Sequence, residues 1–200
     1  MRARSLRLAA LAAAALCVVI ALALVLFARR DAAQPVTYAG TPLVPPKAAS
    51  DAVLIDGAGR PAHVLDPNVP VTFLFFGYTH CPDECPLALA TLAKAYRELS
   101  PAQAARMRVV FVTVDPLRDT PAVVGRYVAK FDAHFIGLSG SPAALATVWN
   151  AYGVSVDLDT RDISHGDAIY AIDATKHVVL IYPPEFPASG LASDAAKLTS

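Results

Sequence analysis

Val69-Pro70-Val71-Thr72-Phe73-Leu74-Phe75-Phe76-Gly77-Tyr78 runs straight into Thr79-His80-Cys81-Pro82-Asp83-Glu84-Cys85-Pro86. The first part is a continuous apolar run between Pro70 and Gly77, the pattern of a central strand buried on both faces. The second part places two of the chain's three cysteines four positions apart, each followed by proline. A buried strand that ends in a cysteine pair opening a helix is a place for redox chemistry or for a soft metal ion.

Outward from this strand the elements alternate. Val53–Ile55 and Ala62–Leu65 flank Asp56-Gly57-Ala58-Gly59 and read as a hairpin. Leu87–Leu99 carries apolar residues at Leu89, Leu92, Ala93 and Tyr96, a helical period. Arg108–Val114 is a second central strand, and Pro121 suits the first turn of a helix running to Phe131. Phe135–Leu138 is a short strand, and Ser141-Pro142 opens a helix ending near Tyr152-Gly153. Val154–Leu158, Ala168–Ile172 and Val178–Tyr182 read as strands, and a short helix follows near Leu191–Leu198. This order predicts an α/β fold with a partly parallel sheet. The hairpin at each flank and the cysteine motif after a central strand suggest a thioredoxin-like arrangement with a central mixed sheet. In such open sheets ligands sit beyond the carboxyl ends of the strands, where Cys81 and Asp115 both fall.

The amino terminus sets the compartment. Arg2, Arg4 and Arg7 precede an unbroken apolar run from Leu8 to Ala28, closed by Arg29 and Arg30. About 20 residues at ~1.5 Å each span a hydrocarbon core of roughly 30 Å. A cleaved signal peptide has a shorter apolar region and an A-x-A-like site, which Phe27-Ala28-Arg29-Arg30 does not supply. The expectation is therefore residues 1–7 as a cytoplasmic basic tail, 8–28 as one transmembrane helix, 29–50 as a Pro/Ala-rich tether and 51–200 as the folded domain. Cys17 reads as a small hydrophobe of that helix. The sequence has 17 Lys+Arg and 17 Asp+Glu; five of the cations flank the anchor, leaving 12 against 17 beyond it and a net charge of −5. No basic stripe exists, which excludes nucleic-acid binding as a function class.

Side chains four apart on a helix have Cβ atoms about 5–6 Å apart. One metal with thiolate bonds of about 2.3 Å holds two sulfurs roughly 3.8 Å apart. The pair can clasp an ion, and it can form a disulfide where the first turn is irregular, as Pro82 and Pro86 encourage. Disulfide oxidoreductases place two residues between the cysteines; here there are three, which favours metal over exchange. A helix N-terminus favours a thiolate, whereas Asp83 and Glu84 oppose it unless a cation is bound. A purely structural disulfide closing so few residues would remove little unfolded-state entropy. A third ligand calls for histidine. His80 adjoins Cys81 but is expected on the other face of the turn, and His63, His134 and His177 read as solvated or capping residues. His165 lies in the polar loop Thr160–Gly166 before the strand Ala168–Ile172, a loop able to fold over the helix N-terminus.

Gly77–Pro86 resembles the cysteine signature of the Sco/SenC family of copper chaperones, and Val114-Asp115-Pro116-Leu117-Arg118-Asp119-Thr120-Pro121 is similar to that family's second signature. Ser164-His165-Gly166 falls where the family places its histidine, and Tyr182-Pro183-Pro184 is similar to the family's C-terminal end. The resemblance covers roughly residues 36–198. It implies copper, Cu(I) or Cu(II), held by Cys81, Cys85 and His165, with Asp115, Arg118 and Asp119 orienting the site. It also implies a thioredoxin-like fold and a role in assembling the dinuclear copper site of cytochrome c oxidase, with the copper-site subunit, or another copper carrier, as partner. The expected placement is the bacterial inner membrane, single-pass, with the domain in the periplasm. Two residues depart from the pattern: Glu84 stands at a spot usually apolar or small, and Ser164 where an aspartate is common. A metallochaperone rather than an enzyme is expected. The alternative is a thiol–disulfide reductase using Cys81 and Cys85 to keep the oxidase's ligand cysteines reduced, and a third reading is a peroxidase or stress sensor.

Overall fold

The structure, a computed structural model, describes residues 14–23, 36–156 and 167–200. The chain divides at Thr37. In the first unit residues 14–23 are helical (α1). Among the described residues no helix is long and apolar enough to cross a membrane. The rest of the run expected as an anchor lies outside the described residues.

The second unit, Tyr38–Ser200, is built on one eight-stranded sheet. Its strands are β1 (Thr41–Ala48), β2 (Val53–Asp56), β3 (Pro61–His63), β4 (Val71–Gly77), β5 (Met107–Thr113), β6 (Ile136–Ser139), β7 (Ile169–Ile172) and β8 (His177–Tyr182). The helices are α2 (Glu84–Glu98), α3 (Pro101–Ala104), α4 (Pro121–Val128), α5 (Pro142–Tyr152) and α6 (Ala188–Leu198). The spatial order is β1-β8-β7-β4-β5-β6-β2-β3. β4, β5 and β6 run parallel, and the other pairs are antiparallel. This is the mixed sheet with flanking hairpins expected from the sequence.

Every residue of β4 and β5 is buried, as their largely apolar runs require; Thr72, Arg108 and Thr113 are the buried polar exceptions. Phe73, Phe75, Phe76 and Phe111 are wholly inaccessible, and each such side chain stabilises the fold by about 2–3 kcal/mol. α2 buries Cys85, Ala88, Leu89, Leu92 and Ala93, one stripe at helical spacing. It packs against α6, while α4 packs on β6 and β2. α5 starts at Ser141, whose hydroxyl accepts the Ala144 N–H, and ends at Gly153 with φ of 72°, a left-handed cap that glycine adopts without strain.

Four sequence expectations change. Residues 41–48, assigned to the tether, form β1, which pairs with β8 along the edge of the sheet. Val154–Val156 has no regular structure although a strand was expected from Val154; Val154 is buried all the same, and residues from 157 lie outside the described set. α2 begins three residues before Leu87, so Cys85 belongs to its first turn. α3 was not anticipated, although Ser100 and Gln103 form a reciprocal capping box around Pro101.

Candidate metal centre

β4 delivers the chain to the carboxyl end of the sheet, where Tyr78-Thr79-His80 turn it towards α2. The Cys81 N–H donates to the Tyr78 carbonyl at 3.2 Å. Asp83 occupies the cap position of α2 but makes no side-chain cap bond. The Cys85 N–H instead donates to Cys81 Sγ at 3.4 Å, so a sulfur takes the place that a cap oxygen usually holds. Both cysteines are free thiols, Cys81 half-buried and Cys85 buried. Burial, ahead of any neighbour, pushes the Cys85 thiol up and keeps it protonated until a cation replaces the proton.

Gly77 makes room for this arrangement. A Cβ there would lie 2.7 Å from Cys85 Sγ and 2.9 Å from the Phe111 ring. The strand terminus is glycine because the sulfur and the ring close over it.

The turn after β5 lies beside the turn after β4, joined by the Val114 N–H donating to the Gly77 carbonyl at 2.8 Å. Asp119 is fully buried. Its carboxylate accepts the Thr79 N–H at 3.0 Å, the Thr79 hydroxyl at 2.6 Å and the Thr113 hydroxyl at 2.7 Å. Its carbonyl accepts the Ser139 hydroxyl at 2.6 Å. Asp115 accepts the Arg118 N–H at 3.3 Å and forms an ion pair with the Arg118 guanidinium. Asp115 and Asp119 lie with the exposed His80 in a group whose ligand-type atoms are within 4.8 Å of one another. Asp119 already spends both carboxylate oxygens on three donors, so this group is a brace between the two turns rather than a cage for an ion.

Glu84 has a specific partner. It hydrogen-bonds to Asp167, and that bond, then burial, then the charges of Asp167, Glu185 and Asp83, push its carboxyl above the usual range. Asp167 stands two residues after His165 in the sequence and is tied here to the residue next to Cys85. His165 itself lies outside the described residues. His63 pairs with Asp51 at 2.6 Å and His134 with Asp132 at 2.9 Å, away from the cysteines in the role of solvated residues.

Sequence reasoning passed over three members of this neighbourhood. Thr79 and Thr113 serve Asp119 across 40 and 6 positions, and only the excess of hydroxyls flanking the two motifs hinted at it. Tyr127 lines an open cleft of about 340 Å³ with Thr79, His80, Val123, Arg126 and Lys130. Its place inside the helix expected from Pro121 to Phe131 gave no sign of this.

A scan of protein families matches the SCO1/SenC family over residues 44–200. "Protein SCO2 homolog, mitochondrial" of Bos taurus is 35% identical over 134 residues, which is 66% of this chain and 49% of that protein. The chain spans about half the length of such relatives. Among solved structures, apo Sco1 from Thermus thermophilus superposes with a TM-score of 0.72 at 35% identity, covering 81% of this chain and 97% of that one. Bradyrhizobium japonicum ScoI with copper bound gives a TM-score of 0.66 at 32% identity, covering 76% and 99%. The match begins inside β1, runs through both braced turns to the last residue, and makes this chain a member of the SCO1/SenC family.

Proposed function

We propose that this protein is a copper metallochaperone serving cytochrome c oxidase assembly, with copper carried by Cys81, Cys85 and His165. The observation that carries this reading is the pair of free thiols in one helical turn, with the Cys85 N–H 3.4 Å from Cys81 Sγ. Two thiolates suit Cu(I), and an added imidazole makes a set that also holds Cu(II). Asp167, bonded to Glu84, brings the chain near the cysteines two residues after His165, which supports the histidine as third ligand. The Bradyrhizobium relative holds copper, and a Stutzerimonas stutzeri relative, 33% identical over 110 residues, is described as a putative copper-binding protein.

Each group has a distinct task in this reading. Cys85, buried, is the inner anchor; Cys81, half-buried, is the ligand a recipient reaches first. Asp119 fixes the Thr79 turn that carries Cys81, and Asp115 fixes Arg118 at the rim. The recipient is the copper-site subunit of the oxidase, whose dinuclear site receives the ion. The Leu8–Ala28 run is the anchor, holding the folded unit on the periplasmic side of the bacterial inner membrane.

The reductase alternative is weaker on one physical ground. Exchange is fastest through an accessible sulfur whose pKa lies near the ambient pH, and burial drives Cys85 well above that. The experiment is copper analysis of the full-length protein in detergent beside Cys81→Ser, Cys85→Ser and His165→Ala. One copper per wild-type chain, with losses in all three variants, is expected. A wild type without near-stoichiometric copper, or a His165→Ala variant that assembles oxidase normally while either cysteine variant fails, overturns it.

A further inference from the structure

The open cleft beside the cysteines carries charge that copper binding does not use. It holds about 340 Å³, and its walls include Thr79 and His80, which lead into Cys81, and Arg126 and Lys130 from the end of α4. Arg126 stands in the last turn of α4 and Lys130 just past it, and both are exposed. No acidic residue lines the cleft. Among the described residues neither cation has a carboxylate partner, whereas Arg60, Arg118 and Lys197 are paired with Asp56, Asp115 and Asp194.

Charge and position together identify the occupant. Beyond the Leu8–Ala28 run and its flanking arginines the chain has 12 cations against 17 acids, and the charges of Asp167, Glu185 and Asp83 gather around Glu84, next to Cys85. An acidic partner is repelled by such a surface as a whole and attracted at the cleft, so the field turns it to one orientation, over the cleft. The guanidinium of Arg126 offers a carboxylate two parallel donors, and the Lys130 ammonium adds a second point of charge. Whatever fills the cleft also stands over the approach to the half-buried Cys81. A lipid headgroup or a free anion held there would obstruct transfer, whereas the protein that takes the ion has to stand there.

We propose that the cleft between α4 and the Thr79–His80 turn is the docking site for the copper recipient, and that it takes an acidic segment of that protein, with carboxylates against Arg126 and Lys130. The inference rests on the reading of this chain as a copper carrier for the copper-site subunit of the oxidase. Pairs at an exposed rim set the rate and register of encounter more than its affinity. The two cations therefore govern how fast copper leaves for the recipient and have no part in holding it.

The test compares full-length wild type in detergent with Arg126→Glu/Lys130→Glu and with Lys94→Glu/Arg97→Glu. The second pair changes the net charge equally at exposed positions of α2, Arg97 lying in that helix's last turn as Arg126 does in its own. Each is loaded with Cu(I) and mixed with the copper-free soluble domain of the oxidase's copper-site subunit. Transfer is timed from about 0.01 M salt, where charges act over about 30 Å, to about 1 M, where they act over about 3 Å. All three proteins are expected to hold equal copper. At low salt the cleft variant should transfer about tenfold more slowly than the α2 variant, and the two should converge at high salt. Equal rates for the two variants at every salt concentration overturn the inference and leave copper carriage standing, because net charge alone then matters. Reduced copper content confined to the cleft variant also overturns it, because the cations then belong to the copper site. So does added phosphatidylglycerol that slows wild type to the cleft variant's rate, which assigns the cleft to lipid. A wild type that holds copper and gives the recipient none overturns the inference together with the choice of recipient. A wild type that takes up no copper overturns the carrier reading itself.

Discussion

Asp119 grips Thr79 at two points, accepting its backbone N–H at 3.0 Å and its hydroxyl at 2.6 Å from across 40 residues. The turn that carries Cys81 is thus held by the turn that follows β5. Positioning by a buried charge is stiff, because charge-assisted hydrogen bonds shorten and strengthen in a dry setting. It is also fragile, because removing the acceptor leaves several donors unpaired at once.

Asp119→Ala should therefore lose about 3 kcal/mol of folding stability or more, since three donors lose a buried carboxylate. Denaturant unfolding measures the loss. Copper retention should fall with it even where the variant is folded, and a folded variant with unchanged copper affinity would show that the brace does not position Cys81.

Gly77→Ala tests the floor of the site. Its new Cβ would sit 2.7 Å from Cys85 Sγ, and relieving such overlap costs about 1–3 kcal/mol. The sulfur is the atom that must move, so the thiolate-to-Cu(II) absorption should shift or weaken at unchanged secondary structure. Absorption and circular dichroism spectra recorded together separate this from unfolding.

Glu84→Gln tests the pair with Asp167 through pH. The Glu84 carboxyl is raised above its ordinary value of 4.5 in the folded state. Its contribution is then fully present below that ordinary value and is lost as pH rises through the raised one. Calorimetry from about pH 4 to about pH 7 should find wild-type stability falling relative to Glu84→Gln, whose amide keeps a hydrogen bond without needing the proton. Parallel pH profiles would remove the pair from the account.

Asp194→Asn addresses the fold away from the metal. Asp194 is inaccessible and accepts the N–H groups of Ala39 and Gly40 at 2.9 and 2.8 Å and the Tyr182 hydroxyl at 3.1 Å, with Lys197 at 3.2 Å. Trading the carboxylate for an amide should cost about 2–3 kcal/mol while copper stoichiometry stays at the wild-type level. Loss of copper at retained stability would contradict the separation of these two regions.

β4 was legible because a strand buried on both faces is apolar along nearly its whole length, and Val71–Phe76 is so apart from Thr72. The helical stripe of Leu89, Leu92 and Ala93 was equally visible, though Pro86 hid where the helix begins and so hid Cys85 as its first buried residue. β1 was not, because Pro42, Pro45 and Pro46 erase the alternation that marks a strand, and its pairing with β8 is set by residues far along the chain. Both cysteines and both aspartates were singled out by their motifs. The brace was not, because a bond between Thr79 and Asp119 has no local signature. Tyr127 was missed for the opposite reason: at its place in α4 a tyrosine satisfies the helical pattern as an ordinary core residue.

The prolines that concealed β1 also govern what the sheet can do with other chains. Its two outermost strands are β1 and β3. β1 carries Pro42, Pro45 and Pro46 followed by Lys47, and its register breaks between Pro42 and Lys47. β3 is three residues long and starts with Pro61. Proline offers no N–H to a neighbouring strand, and a broken or very short edge gives an incoming chain little to zip onto. Backbone-to-backbone association, the commonest accident of an open sheet, is thereby blunted at both margins.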